Sequence, residues 1–133
     1  VLLSFEGTDA DNLSQLVVEA DDVKLKNSIY VEKGLIIANE GTLSFNGDSI
    51  TGNMGIFGKS GSGEMTIATS GGFEMGELRI LDGTMQLNTN VDVSTLTIKG
   101  KDTVVNISST TNITVKANDY FSISSSTNRT SYP

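Results

Sequence analysis

Apolar residues return along this chain in pairs separated by a single residue. The first such triplets are Val23-Lys24-Leu25, Ile29-Tyr30-Val31, Leu35-Ile36-Ile37 and Leu43-Ser44-Phe45. After a gap the series resumes with Met65-Thr66-Ile67, Phe73-Glu74-Met75, Leu78-Arg79-Ile80, Met85-Gln86-Leu87 and Val91-Asp92-Val93. Leu96-Thr97-Ile98, Val105-Asn106-Ile107, Ile113-Thr114-Val115 and Phe121-Ser122-Ile123 complete it. Alternation at period two is the mark of a strand, with the outer residues on one face and the middle one turned away. The middle residue is mostly polar here, which predicts strands with one buried face. Thr, Val and Ile, which suit a pleated surface, recur within them.

Spacing narrows the fold. From the triplet centred on Thr66 to that centred on Ser122 there are eight steps over 56 residues, a mean of seven. A sandwich has longer strands, with turn signals roughly every 8–12 residues. The pattern instead predicts an all-β, parallel β-solenoid, with three short strands and three corners in a coil of about 21 residues. Five to six such coils, stacked about 4.8 Å apart, would make an object about 25–30 Å long. Corner residues that tolerate tight or left-handed backbone lie between triplets: Asn39, Gly41, Asp82-Gly83, Asn88, Asn90, Gly100 and Asn118-Asp119. Helical signal is confined to Leu13–Glu19, with Asp11 or Asn12 as N-cap. Leu16-Val17-Val18 reads equally well as a strand.

The chain therefore divides into a lead-in over 1–15, a solenoid over 16–124 and a polar tail over 125–133. Within the solenoid, 46–63 breaks the rhythm with Gly47, Gly52, Gly55, Gly58, Gly61 and Gly63. One reading is a set of tight corners around a poorly marked coil. The other is a protruding loop that contacts a partner, with Phe57 as the contact residue. At the N-terminus, Val1, Leu2, Leu3 and Phe5 form an apolar strand. It either begins the chain's own sheet or joins that of a neighbouring subunit by β-augmentation.

Composition removes several chemistries. Acidic residues outnumber basic ones 16 to 9, for a net charge of −7. Phosphate neutralisation needs clustered Lys and Arg, so nucleic acid is not an expected partner. The chain has no Cys and no His, and so lacks thiolate nucleophiles, disulfides and the commonest general base. No apolar run nears the roughly 20 residues of a membrane span. The absence of an initial Met leads us to expect a processed mature form or a fragment.

Local motifs add little chemistry. Gly58-Lys59-Ser60 imitates the end of a phosphate loop, but Asn53 stands where that loop needs its first Gly. Asp9, Asp11 and Asn12 form a weak calcium candidate without the Gly and distant Glu of an EF-hand loop. Glu19, Asp21 and Asp22 make a similar acidic corner. Acid pairs for glycoside hydrolysis or uronate elimination would be Glu74 with Glu77, or Asp82 with Asp92, with nothing nearby to shift a pKa. Thr95-Leu96-Thr97 is a single copy of the Thr-x-Thr row used by ice-binding solenoids, too few for a flat ladder. No cofactor is expected, calcium excepted.

The run from Gly76 to Leu87 and that from Val93 to Gly100 resemble coils of secreted adhesins and autotransporter passengers. Thr103 to Ser124 is similar to β-helical segments of bacteriophage tail spikes, needles and fibres. The resemblance is one of coil style over 16–124. It implies scaffold coils with recognition in loops or end domains, on a virion or cell surface, and carries no family site residue to this chain. The expected function is a non-enzymatic structural or adhesive module of an extracellular fibre, spike or filament. It would act as a homo-oligomer, either an intertwined trimer or an end-to-end stack, or beside neighbouring fibre subunits. The alternatives are a glycan- or calcium-binding solenoid and a fragment of a β-helical polysaccharide-degrading enzyme.

Overall fold

The computed structural model describes residues 2–5, 13–52, 54–109, 111–115 and 121–124. Every described strand pair is parallel, and each pairing joins equivalent positions of successive coils. The first coil holds β1 (Leu2–Phe5), β2 (Ser14–Val18) and β3 (Val23–Leu25). The second holds β4 (Ser28–Val31), β5 (Gly34–Asn39) and β6 (Leu43–Phe45). The third holds β7 (Ile50–Thr51), β8 (Ile56–Ser60) and β9 (Glu64–Ile67). In the fourth, β10 (Phe73–Ile80) runs across two sides before β11 (Thr84–Leu87). The fifth repeats this with β12 (Val91–Lys99) and β13 (Val104–Ile107), and β14 (Ile113–Val115) and β15 (Phe121–Ser124) continue the stack.

This is a β-solenoid of about five turns, coiled from one chain, with no helix among the described residues. Its first face stacks β1, β4, β7, the start of β10, the start of β12, and β14. The second stacks β2, β5, β8, the ends of β10 and β12, and β15. The third is a five-stranded sheet in the order β13-β11-β9-β6-β3. Successive partners on the first face, Ile29, Ile50, Phe73, Val91 and Ile113, lie 21, 23, 18 and 22 residues apart. Each of the thirteen triplets lies on a strand of this stack. The segment around Leu13, read as helix or strand, is the strand β2.

The outer residues of the triplets between Ile29 and Val105 fill the interior. Ile29, Leu35, Leu43, Met65, Leu78, Met85 and Val93 are among those buried in one continuous core. Three rings meet at its centre, one from each face. Phe57 stands edge-on to Phe45 (centroids 5.9 Å apart, 75°) and to Phe73 (5.3 Å, 87°). Such T-shaped contacts match the positive ring edge to the negative face.

The Gly-rich segment is thus the third coil, and the protruding-loop expectation is corrected. Phe57, the expected partner contact there, has no solvent exposure. It points inward because β8 places it over Leu35 and under Leu78 in register. Five of the segment's six glycines serve the corners, and Gly58 lies within β8 beside Ile36. At Gly83 φ is +76°, and an added Cβ would run into the Gly63 carbonyl oxygen. A side chain there would meet both left-handed strain and the coil below. At Gly76, where β10 bends between faces, a Cβ would lie 2.7 Å from the Met54 carbonyl carbon.

Phe57→Ala is expected to lower unfolding free energy by about 3–5 kcal/mol, through lost burial and a cavity between two rings. Urea denaturation measures it. A loss below about 1 kcal/mol would contradict the central place given to this ring.

Candidate functional site

The residues singled out from the sequence do not converge. Leu2, Leu3 and Phe5 belong to β1, which pairs in parallel with β4 of the same chain from Leu2 beside Ser28 to Phe5 beside Val31. The strand is therefore used within its own chain, in the first coil. Val1 and the calcium candidates Asp9, Asp11 and Asn12 lie outside the described residues. Among the described residues no three acidic groups gather as metal ligands.

The other acidic corner has a structural task. The Asp21 carboxylate accepts from the Thr42 backbone N–H (2.7 Å), the Thr42 hydroxyl (2.9 Å) and the Asp22 N–H (3.0 Å). These bonds, the Thr42 backbone first, hold its pKa below the ordinary aspartate value. Glu40 in the next coil accepts from the Ser62 hydroxyl, which lowers its pKa in the same way. Carboxylates here tie one coil to the next.

The proposed acid pairs are separated by the fold. Glu74 lies before the Gly76 bend on the first face, while Glu77 lies beyond it on the second. Asp82 sits at the corner leading to the third face, and Asp92 pairs with Glu74. Burial pushes the Glu77 pKa up, but bidentate Arg79 (2.8 and 3.1 Å) and the Thr97 hydroxyl (3.0 Å) outweigh it. The net shift is downward, which fixes a carboxylate rather than a proton donor at neutral pH.

The stacked carboxylates of Glu74 and Asp92 line a shallow groove of about 380 Å³ on the first face, shared with Gly71, Gly72, Asn90 and Thr114. A larger depression, about 700 Å³, lies beside the last described coils and includes Ile107, Ser109, Thr111, Asn112 and Thr114. Both are lined mainly by polar groups. Phe73 borders the smaller groove, but its ring is buried in the core, so the described lining offers hydrogen bonds rather than an aromatic face.

One buried charge went unforeseen. Lys59, read in the sequence only as part of a false phosphate loop, is wholly buried on the inward side of β8. Its Nζ donates to the carbonyl oxygens of Ser60 (3.0 Å) and Gly61 (2.9 Å). Burial lowers its pKa to about 8, while the Asp82 and Glu40 charges pull it partway back. The signal available in the sequence was Phe57-Gly58-Lys59, a triplet with a cation at its last apolar position.

Linkage gives this shift a direction. Between about 8 and 10.5 the unfolded chain holds the Lys59 proton more tightly than the folded one. Stability from this group is therefore fully present only above the unfolded pKa, and is lost as pH falls through the folded value. Thermal melts of the wild type and Lys59→Met should show the wild type gaining on the variant from pH 7 to pH 10. A constant difference would contradict the buried ammonium.

No protein-family model, no curated protein and no solved structure matches this chain.

Proposed function

We propose that this chain is a non-enzymatic structural or adhesive module of an extracellular fibre, spike or filament. The observation that carries the reading is the composition of the two ends of the stack. Leu16, Val18, Val23 and Leu25 at one end are only partly buried, as are Ile107, Ile113 and Val115 at the other. Among the described residues β3 and β13 each have one neighbouring strand, leaving an edge of the third face open at either end. Such edges template further parallel pairing, and half-covered apolar side chains favour it. The lack of His and Cys supports a scaffold over a catalyst.

Light scattering over a concentration series, with negative-stain images of the same samples, is expected to show association through the ends. Leu25→Lys, which puts a charge on the half-covered apolar surface of the first coil beside Phe45, should reduce it while circular dichroism still shows the folded strands. A monomer at every concentration would overturn the reading.

The polar groove beside Glu74 and Asp92 favours glycan recognition as a second reading. Its carboxylates and amides suit the hydroxyls of an uncharged sugar. Retained binding on a glycan array that is lost in Glu74→Ala would favour it, and an array with no hits would remove it.

A further inference from the structure

Inward positions of the second face close to its corner with the third form a column. Leu16, Ile37, Lys59, Ile80 and Ile98 occupy it in successive coils. Four are aliphatic and one is charged, yet the charged one is wholly buried. Its ammonium reaches forward into the corner, onto the Ser60 and Gly61 carbonyls. Gly61 has φ +84°, so the turn that presents these oxygens is itself left-handed. Directly above lies Gly83 of the next coil, where an added Cβ would come to 2.8 Å from Nζ. One coil further on the pairing changes. Ile80 holds the lysine's place, and Thr103, in line with Gly83, holds the glycine's.

We propose that Lys59 is a register pin, a buried polar residue that admits one placement of the third coil under the fourth and gives up stability to do so. Triplets this alike make the stack degenerate. Sliding a strand by two residues preserves which side chains face inward, so an all-aliphatic column would accept several alignments. Lys59 does not accept them. Moved two places back along β8 it would occupy the site of Phe57, between Leu35 and Leu78 and beside Phe45 and Phe73, while Ser60 and Gly61, moving with it, would leave the corner turn for the strand and commit their carbonyls to the ladder. An unpaired ammonium is excluded from such surroundings. Under a residue larger than Gly83 its Nζ would be displaced from the corner. A single buried polar side chain that sets register at a cost in stability is well attested in coiled coils. This inference concerns folding of one chain and stands apart from the assembly proposed above.

The test compares the full chain with Lys59→Met and Lys59→Leu at pH 7, by thermal melting and amide hydrogen exchange. Two amides report the junction: Leu81, which donates to the Lys59 carbonyl at 2.9 Å, and Thr84, which donates to Gly63 at 3.1 Å. Ile29, which donates to Ser49 at 3.0 Å in an earlier junction, is the internal control. The expected result is a melting temperature at or above that of the wild type. Exchange at Leu81 and Thr84 should nevertheless quicken by at least about tenfold, with Ile29 unchanged, as slipped stackings become populated. Wild-type protection at both amides would overturn the proposal, since the column would then hold its register without the lysine. Unfolding of both variants, or a uniform loss of protection with lower melting temperature, would also overturn it. Lys59 would then be an ordinary contributor to stability.

Discussion

The parallel hydrogen-bonded ladder that links each coil to the next governs everything else in this molecule. It sets each residue's main neighbours as the equivalent residues one coil before and one coil after. The interior is consequently a set of short columns, and a column is satisfied when its members match in size and polarity. Ile29, Ile50, Phe73 and Val91 form one, and Leu43, Met65, Met85 and Val105 another. The same rule reaches the corners. Thr89 donates to the Thr69 carbonyl oxygen at 2.8 Å and Thr42 donates to Asp21 across a coil, so turn residues are stacked as the strands are.

Because the ladder repeats, the strands were legible from alternation alone, and the coil count followed from spacing. Legibility failed where a coil departed from the column rule. The third coil was hidden because β7 is only two residues long and β8 carries Gly58 outward and Lys59 inward. Neither looks like a strand position by composition. The candidate chemistry was less legible still. Glu74 and Glu77 stand three residues apart, yet the bend at Gly76 sends them to different faces. Asn39 stands at a corner as its type suggests, but its burial was not legible, with Nδ2 donating to the carbonyls of Gly41 (2.8 Å) and Glu64 (3.0 Å). Position relative to a bend decides these cases, and bends depend on which backbone lies one coil away.

Buried polar side chains gather at two corners of the stack, Thr69 and Thr89 where the third face leads back to the first, and a second group where the second face leads to the third. Asn39, Lys59 and Thr103 all lie at the corner between the second and third faces, in the second, third and fifth coils. Four left-handed residues, Asp22, Gly61, Gly83 and Gly100, line this second corner, and Gly72 stands at the first. At Lys59 the two features meet, since the left-handed Gly61 presents a carbonyl oxygen that the buried ammonium satisfies, while the Asn39 amide serves the carbonyls of Gly41 and Glu64. The price of that arrangement is visible in the Asn39 Oδ1 and Thr103 Oγ1 atoms, which are buried without a hydrogen-bond partner.

A globular domain gains uniqueness from long-range closure, since elements far apart in sequence must fit one another. A solenoid lacks that check, because its contacts join only successive coils and successive coils are alike. Specificity has to come from departures within the repeat. The apolar columns supply most of the burial but discriminate poorly between one aliphatic residue and the next. At the second corner Asn39 Nδ2 and Lys59 Nζ reach particular carbonyl acceptors, and a polar group displaced from such acceptors into the apolar columns loses them. In this fold the residues that contribute least to cohesion are therefore those that tell one coil from another.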